Sequence, residues 1–476
     1  MQLALIFQLS IALLAGELAG TSGLGAWTGA IAAVAGPVLV LVVGRVLAAR
    51  AEASMDAIES GGPERFFAFQ SKGPWLAAFC MAIGASSELP RVAPGALGAL
   101  GVSAFLFACG IASILAGHWN AWRIERRIRE ATIIRTLDEA RPLVPMPSRM
   151  AYVLAQARAG LLPILAPLVV PVALSEAGRA IAAVYAPGDE AIGQFAGAVA
   201  GIAIVFLSVP ILIPPILGLV RLAPGPLRDD LEALARDAGV GVREIWVWPT
   251  DGLVANAAVI GVFPRLRCVM LSDALLECMP REQVLAVMAH ELGHVTRRHL
   301  LWLLPVILAC WSLAGFVAAP LAEWAYHAVA PEMGESSRES LVGALVLARD
   351  AAVLVLGLAA FGYASRRFER QADTDAVRLL SERAGSAEAT PAAVAAMSGA
   401  LASVAFLNRV PPERPSWRHG SIAWRRRYLA TLAGAPIGAL AVDRFVAFLG
   451  WSSVVIVLVA IAWNWHAAAT AMSEGM

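Results

Sequence analysis

The sequence predicts a mainly α-helical, polytopic membrane protein of roughly seven to nine spans, with a polar α+β domain split around a membrane hairpin. Three observations predict it. Of 476 residues, 59% are hydrophobic and only 15% charged, against about 45–50% and about 25% in soluble domains. Mean hydropathy is +0.69. Long apolar stretches recur from end to end, and two polar segments, 222–298 and 365–444, interrupt them.

A spanning helix needs roughly 20 mostly apolar residues. Residues 26–48, 95–117, 151–175, 193–221, 299–323, 341–364 and 445–469 meet that requirement. Residues 3–20, which contain Glu17, and the short stretch 74–89 are weaker. A positive n-region and a cleavage site are lacking, so residues 1–20 read as a span and not as a removed signal peptide. The plan is a transmembrane region (1–221), a polar segment (222–298), a transmembrane hairpin (299–364), a second polar segment (365–444) and a last span (445–476).

Short loops rich in Arg stay in the cytoplasm. The 122–149 connection carries Arg123, Arg126, Arg127, Arg129, Arg135, Arg141 and Arg149. The 176–192 loop has Glu176, Asp189 and Glu190 against Arg179, and the 324–340 loop has Glu332, Glu335 and Glu339 against Arg338. Alternation between these anchors puts both polar segments on the cytoplasmic side. Arg349 and Asp350 fall inside a span, where charges face a bundle interior or a wet cavity; they either pair with each other or line a chamber.

A net charge of +1 suggests no nucleic-acid partner. The five cysteines show no C-x-x-C spacing and read as reduced thiols. Lys72 is the sole lysine; with heavy Ala and Gly use, this looks like GC-rich bacterial coding, and the expected location is a bacterial inner membrane.

In the first polar segment, Pro226 opens a helical stretch that ends at Gly239. Strand-like runs follow at Ile245–Trp248, Leu253–Ile260 and Cys268–Leu271. Pro280 then starts the helix REQVLAVMAHELGHVTRRH. In the second segment a helix begins near Ser365. A polar Ala/Pro-rich stretch follows, and the basic WRHGSIAWRRRYL leads to the last span.

His290-Glu291-Leu292-Gly293-His294 is H-E-x-x-H on that helix. Spacing i, i+4 stacks both imidazoles on one helical face, where they can meet a single ion. Zinc on three protein ligands keeps a fourth position for water, whose pKa falls to near 7. Glu291 can take that water's proton. Glu369 and Asp373 are again i, i+4, so Glu369 can be the third ligand while Asp373 accepts the N–H of a ligand imidazole. Two apolar spans separate His294 from Glu369, and an even number of crossings returns the chain to the side it left. His299, five residues past His294, reads as an interfacial residue.

H-E-L-G-H followed two spans later by S-R-R-F-E-R-Q-A-D resembles the membrane zinc metallopeptidases that include bacterial HtpX and the CaaX prenyl proteases. Residues 365–373 match that family's S-R-x-x-E-x-x-A-D in full. The resemblance covers about residues 225–430. It implies a split, cytoplasmic, zincin-like α+β metallopeptidase domain with one zinc per chain. Asn256, Ala257 and Ala258 are similar to the family's strand at the cleft edge, which would pair with an extended substrate. His419 and Arg425 match the spacing of a downstream His…Arg segment whose prolines are missing here. There His419 would donate to the oxyanion and Arg425 would brace the carboxylate behind the ligands.

The expected function is therefore hydrolysis of peptide bonds in membrane or membrane-associated proteins. Two alternatives stay open. A transporter, or an inactive scaffold that keeps the domain, would suit the many spans. An intramembrane site-2-type protease would place H-E-x-x-H in mid-bilayer, which Arg281, Glu282, Arg297 and Arg298 disfavour.

Overall fold

The computed structural model describes every residue except 1, 14, 58–60, 93–95, 139–145, 251, 253, 409, 439 and 475–476. The chain divides into two compact units, residues 1–166 with 325–347, and residues 167–324 with 348–476. The first unit opens with α1 (Gln2–Leu13), α2 (Ala15–Leu18), α3 (Ala26–Asp56), α4 (Gly62–Ser86), α5 (Ala96–Asp138) and α6 (Arg149–Gly160). Most of α7 (Leu162–Tyr185) and all of α8 (Glu190–Leu217) lie in the second unit.

Six helices among the described residues are long and apolar enough to cross a membrane: Ala26–Asp56, Gly101–Glu130, Glu190–Leu217, His299–Glu332, Leu341–Arg383 and Ala441–Trp463. They answer to six of the seven strong stretches read from the sequence. The seventh, 151–175, is two helices that meet at Leu161. Pro163 has no N–H to give the Ala159 carbonyl, so the ladder is interrupted there. The Arg-rich connection after residue 122 is largely a continuation of α5, and Arg141 lies outside the described residues. Arg349 and Asp350 pair with each other, Nε to Oδ1 at 2.8 Å.

The second unit carries the mixed domain. In order it has β1 (Val220–Arg221), α9 (Pro226–Asp237), β2 (Glu244–Trp248), β3 (Ala257–Ile260), β4 (Cys268–Ser272), α10 (Asp273–Cys278) and α11 (Arg281–Thr296). After α12 (His299–Val329) and α13 (Glu335–Arg383) come α14 (Pro391–Leu407), α15 (Ile422–Ala430) and α16 (Ala441–Glu474). The sheet order is β1-β2-β4-β3; β4 runs parallel to β2 and antiparallel to β3. Every residue of β4 is buried. β3 lies at the edge, with Ala257 opposite Leu271 and Ile260 opposite Cys268.

One apolar core backs this sheet. Leu231 and Leu234 from α9, Leu271 from β4, Leu275 from α10, and Met288 and Leu292 from α11 are essentially solvent-free. Burial of each such side chain contributes about 1.5–3 kcal/mol. α9 starts with Pro226 at its first position and ends where Gly239 turns to φ +66°, a conformation that favours glycine.

Two elements differ from their sequence reading. No helix starts at Ser365: α13 is continuous from the apolar stretch to Arg383, because no proline and only Gly362 intervene after residue 358. The Ala/Pro-rich stretch contains α14, whose Thr390 accepts the Ala393 N–H at 3.2 Å with Pro391 next to it. Thr390 is a standard N-cap residue type, and Pro is favoured at the first helical position.

Candidate metal centre

α11 buries Val284, Met288 and Leu292 in the core. Its other face carries His290, Glu291 and His294, as a 3.6-residue repeat requires. α13 delivers Glu369 and Asp373 to the same place on the helix that continues the preceding apolar stretch. α11 and α13 approach closely at Gly293. A Cβ there would stand 3.2 Å from the Ala372 carbonyl oxygen and 3.2 Å from the Asp375 Cβ.

Nε2 of His290 and Nε2 of His294 are 3.2 Å apart. Glu369 Oε2 is 3.7 Å from His290 Nε2, and Glu369 Oε1 is 3.7 Å from His294 Nε2. One donor atom from each of the three residues lies within 4.8 Å of the other two. Two atoms each ~2.1 Å from one ion at a tetrahedral angle stand ~3.4 Å apart. The observed separations fit that requirement, and two imidazoles with one carboxylate are a zinc donor set.

The groups behind these three are charged and buried. His290 Nδ1 is 3.0 Å from Asp373 Oδ1. Arg425 from α15 reaches Asp373 and also stands 3.2 Å from Glu369 Oε2. Burial opposes the Arg425 charge, but the two carboxylates override it and hold its pKa above the usual range. His419, on the loop before α15 and half exposed, places Nδ1 2.9 Å from Glu369 Oε1.

Glu291 Oε2 accepts the Val259 N–H at 3.1 Å. Burial pushes the Glu291 carboxyl up to about 7, with nearby His290 pulling the other way. A cavity of about 440 Å³ opens beside it, lined by Ala258, Val259 and Gly261 of the β3 region together with Glu291, His294 and Glu369. Asn256 and Ala257 do not line it. Asn256 is exposed and its backbone pairs with Ser272, while Ala257 packs on the core.

Several residues of this centre were not singled out by the sequence. His299 is buried beside the centre and does not face outward. It is 4% exposed, stacks on Phe368 with ring centroids 4.7 Å apart, and places Nδ1 2.9 Å from His294 Nδ1. Arg298 explains the change. It has φ +54°, a conformation uncommon for any residue but glycine, and it ends one helix so that the next re-aims His299. Asn408 pairs its side-chain amide with Ala255, accepting its N–H at 3.0 Å and donating to its C=O at 2.8 Å. It braces the chain entering β3, and nothing in its own neighbourhood of sequence signals that.

Residues 224–424 match the model of peptidase family M48. The likeness to that family lies in this segment. The resemblance to HtpX and the CaaX prenyl proteases is borne out by the M48 segment's relatives. A CAAX prenyl protease 1 homolog of Arabidopsis thaliana is 28% identical over 179 residues, 36% of this chain and 41% of that protein. A protease HtpX homolog of Pyrococcus abyssi (strain GE5 / Orsay) is 31% identical over 127 residues, 26% of this chain and 43% of that protein. The chain thus spans about two fifths of the length of these curated relatives. The crystal structure of S. mikatae Ste24p is similar with a TM-score of 0.37 and 13% identity, over 84% of this chain and 98% of that one.

Proposed function

We propose that this chain is an integral-membrane zinc endopeptidase that cleaves membrane or membrane-associated polypeptides. The convergence of His290 Nε2, His294 Nε2 and a Glu369 carboxylate oxygen within 4.8 Å carries the reading. When bound there, zinc supplies the Lewis acidity that lowers the pKa of a water and polarises a carbonyl.

The chain's own residues supply the rest. Glu291, buried beside the cavity, takes a proton from water and passes it to the leaving amine nitrogen. His419 donates to the developing oxyanion. Asp373 and Arg425 hold His290 and Glu369 from behind. The open edge of β3, from Asn256 through Ala258 to Val259, pairs with an extended substrate backbone. The charge bias of the short loops supports a cytoplasmic catalytic face in a bacterial inner membrane.

Metal analysis and activity together test this function. The purified protein is expected to hold about one zinc per chain and to cleave an unfolded polypeptide. Glu291→Gln should keep the zinc and lose cleavage by at least ~10²-fold. Cleavage retained in that variant would remove the mechanism, and a protein without zinc would favour a transporter or scaffold. For sidedness, in a chain whose native cysteines are serine, cysteine at Asp189 should react with an impermeant maleimide on intact cells. Cysteine at Glu277 should not, and the reverse pattern would invert the topology.

A further inference from the structure

Each imidazole that meets a cation through Nε2 must carry its hydrogen on Nδ1. For His290 the means is direct, because Asp373 Oδ1 faces Nδ1 at 3.0 Å and a carboxylate can only accept. His294 Nδ1 instead meets a third imidazole, His299 Nδ1, at 2.9 Å. That pair by itself does not say which ring donates.

The bonds beyond it do. His299 Nε2 lies 2.9 Å from Gln371 Oε1, and Gln371 Nε2 donates to Asp443 Oδ1 at 2.8 Å. Asp443 also accepts from Arg378 Nη2 at 2.8 Å, with Arg297 Nη2 3.6 Å away. As a carboxylate between two guanidinium groups it stays ionised and accepts only. Gln371 must therefore turn its NH2 to Asp443 and its carbonyl oxygen to His299. His299 Nε2 then carries the hydrogen, His299 Nδ1 is a bare lone pair, and His294 Nδ1–H donates to it. His294 Nε2 is left bare, facing His290 and Glu369. Reverse polarity would need two facing lone pairs, or an imidazolium buried behind a cation site.

We propose that His299, Gln371 and Asp443 form a relay that sets the tautomer and orientation of His294, as Asp373 does directly for His290. The relay rests on the metal-centre reading. Its members are positioning residues. His299 and Gln371 are each 4% exposed, and a buried polar group that loses its partner costs about 1–3 kcal/mol. Asp443 lies in the first turn of α16, so the start of the last apolar helix is joined to His294 by three hydrogen bonds in series.

The test uses the full chain in detergent. It reads zinc affinity by competition with a chelator and the visible spectrum of the Co²⁺-substituted protein. His299→Phe keeps a ring to stack on Phe368 but removes the acceptor; zinc affinity should fall about 10–100-fold and the cobalt bands should shift. His299→Gln offers one acceptor and one donor in the same order and should lose less than about tenfold. Gln371→Leu breaks the relay one link further away and should weaken zinc and shift the cobalt bands in the same direction. Should His299→Phe fail to fold, Gln371→Leu carries the test. Wild-type affinity and spectrum in Gln371→Leu or His299→Phe would overturn the relay while leaving the metal centre standing. A wild-type protein that binds no zinc would overturn the metal centre itself.

Discussion

Arg425 grips Asp373 with two prongs of its guanidinium, Nε to Oδ2 at 2.8 Å and Nη2 to Oδ1 at 2.6 Å. Its third nitrogen, Nη1, is 3.2 Å from Glu369 Oε2. One cation thus spans a proposed zinc ligand and the carboxylate behind another. Asp373 is wholly buried, and a charge of that kind left without its partner costs about 3–5 kcal/mol. Arg425→Leu should lower the thermal unfolding temperature accordingly and reduce zinc content. Arg425→Lys keeps the charge without the fork and should fall between. A leucine variant as stable and as zinc-loaded as wild type would show that the fork is dispensable.

Val259 offers a cleaner probe of the cleft edge. Its N–H points away from β4, to Glu291 Oε2, so proline at 259 breaks no sheet hydrogen bond. The extended Ala258 before it also suits a following proline. Val259→Pro should keep the fold and the zinc, yet lower kcat/KM on a peptide substrate by about tenfold or more through a mispositioned Glu291. Unchanged kcat/KM would argue against that role.

Gly293 sets the gap between α11 and α13. A branched side chain at the 3.2 Å contact with Ala372 and Asp375 must push the helices apart. Overpacking of this kind costs about 1–3 kcal/mol. Gly293→Val should lower stability and weaken zinc together, since His290 and Glu369 sit on the two helices being parted. Loss of stability with zinc affinity intact would place the strain elsewhere.

Chelation should destabilise the purified protein. A ligand held only by the folded state stabilises it by about 2.7 kcal/mol at a hundredfold excess over its Kd. Unfolding should therefore move to lower temperature when zinc is removed and recover when it is restored. Glu369→Gln, which lacks the charged third donor, should show a much smaller zinc-dependent shift. An equal shift in that variant would mean that zinc binds somewhere else.

The hydrogen-bond partners of the centre divide by how far apart they lie in the chain. His290 and His294, or Glu369 and Asp373, are one helical turn apart, and their common face follows from the 3.6-residue repeat alone. His299 was misjudged by the same rule. On an unbroken helix, five residues place a side chain about 140° from His294, and only the left-handed Arg298 brings it back. Gln371 and Asp443, 72 residues apart, have no mutual signature in the sequence.

The membrane class, the H-E-x-x-H face, the family motif at 365–373 and the even number of apolar stretches between them can all be read along the chain. Those are properties of local windows, because hydrophobic transfer adds along a segment and helical spacing repeats within a few residues. Tertiary structure alone decided that Glu369 meets the imidazole pair, that Arg425 spans two carboxylates, and that Asp443 reaches His294 through His299. Such meetings depend on how separate helices pack, and a side chain's partner across that packing leaves no trace in its neighbours along the chain.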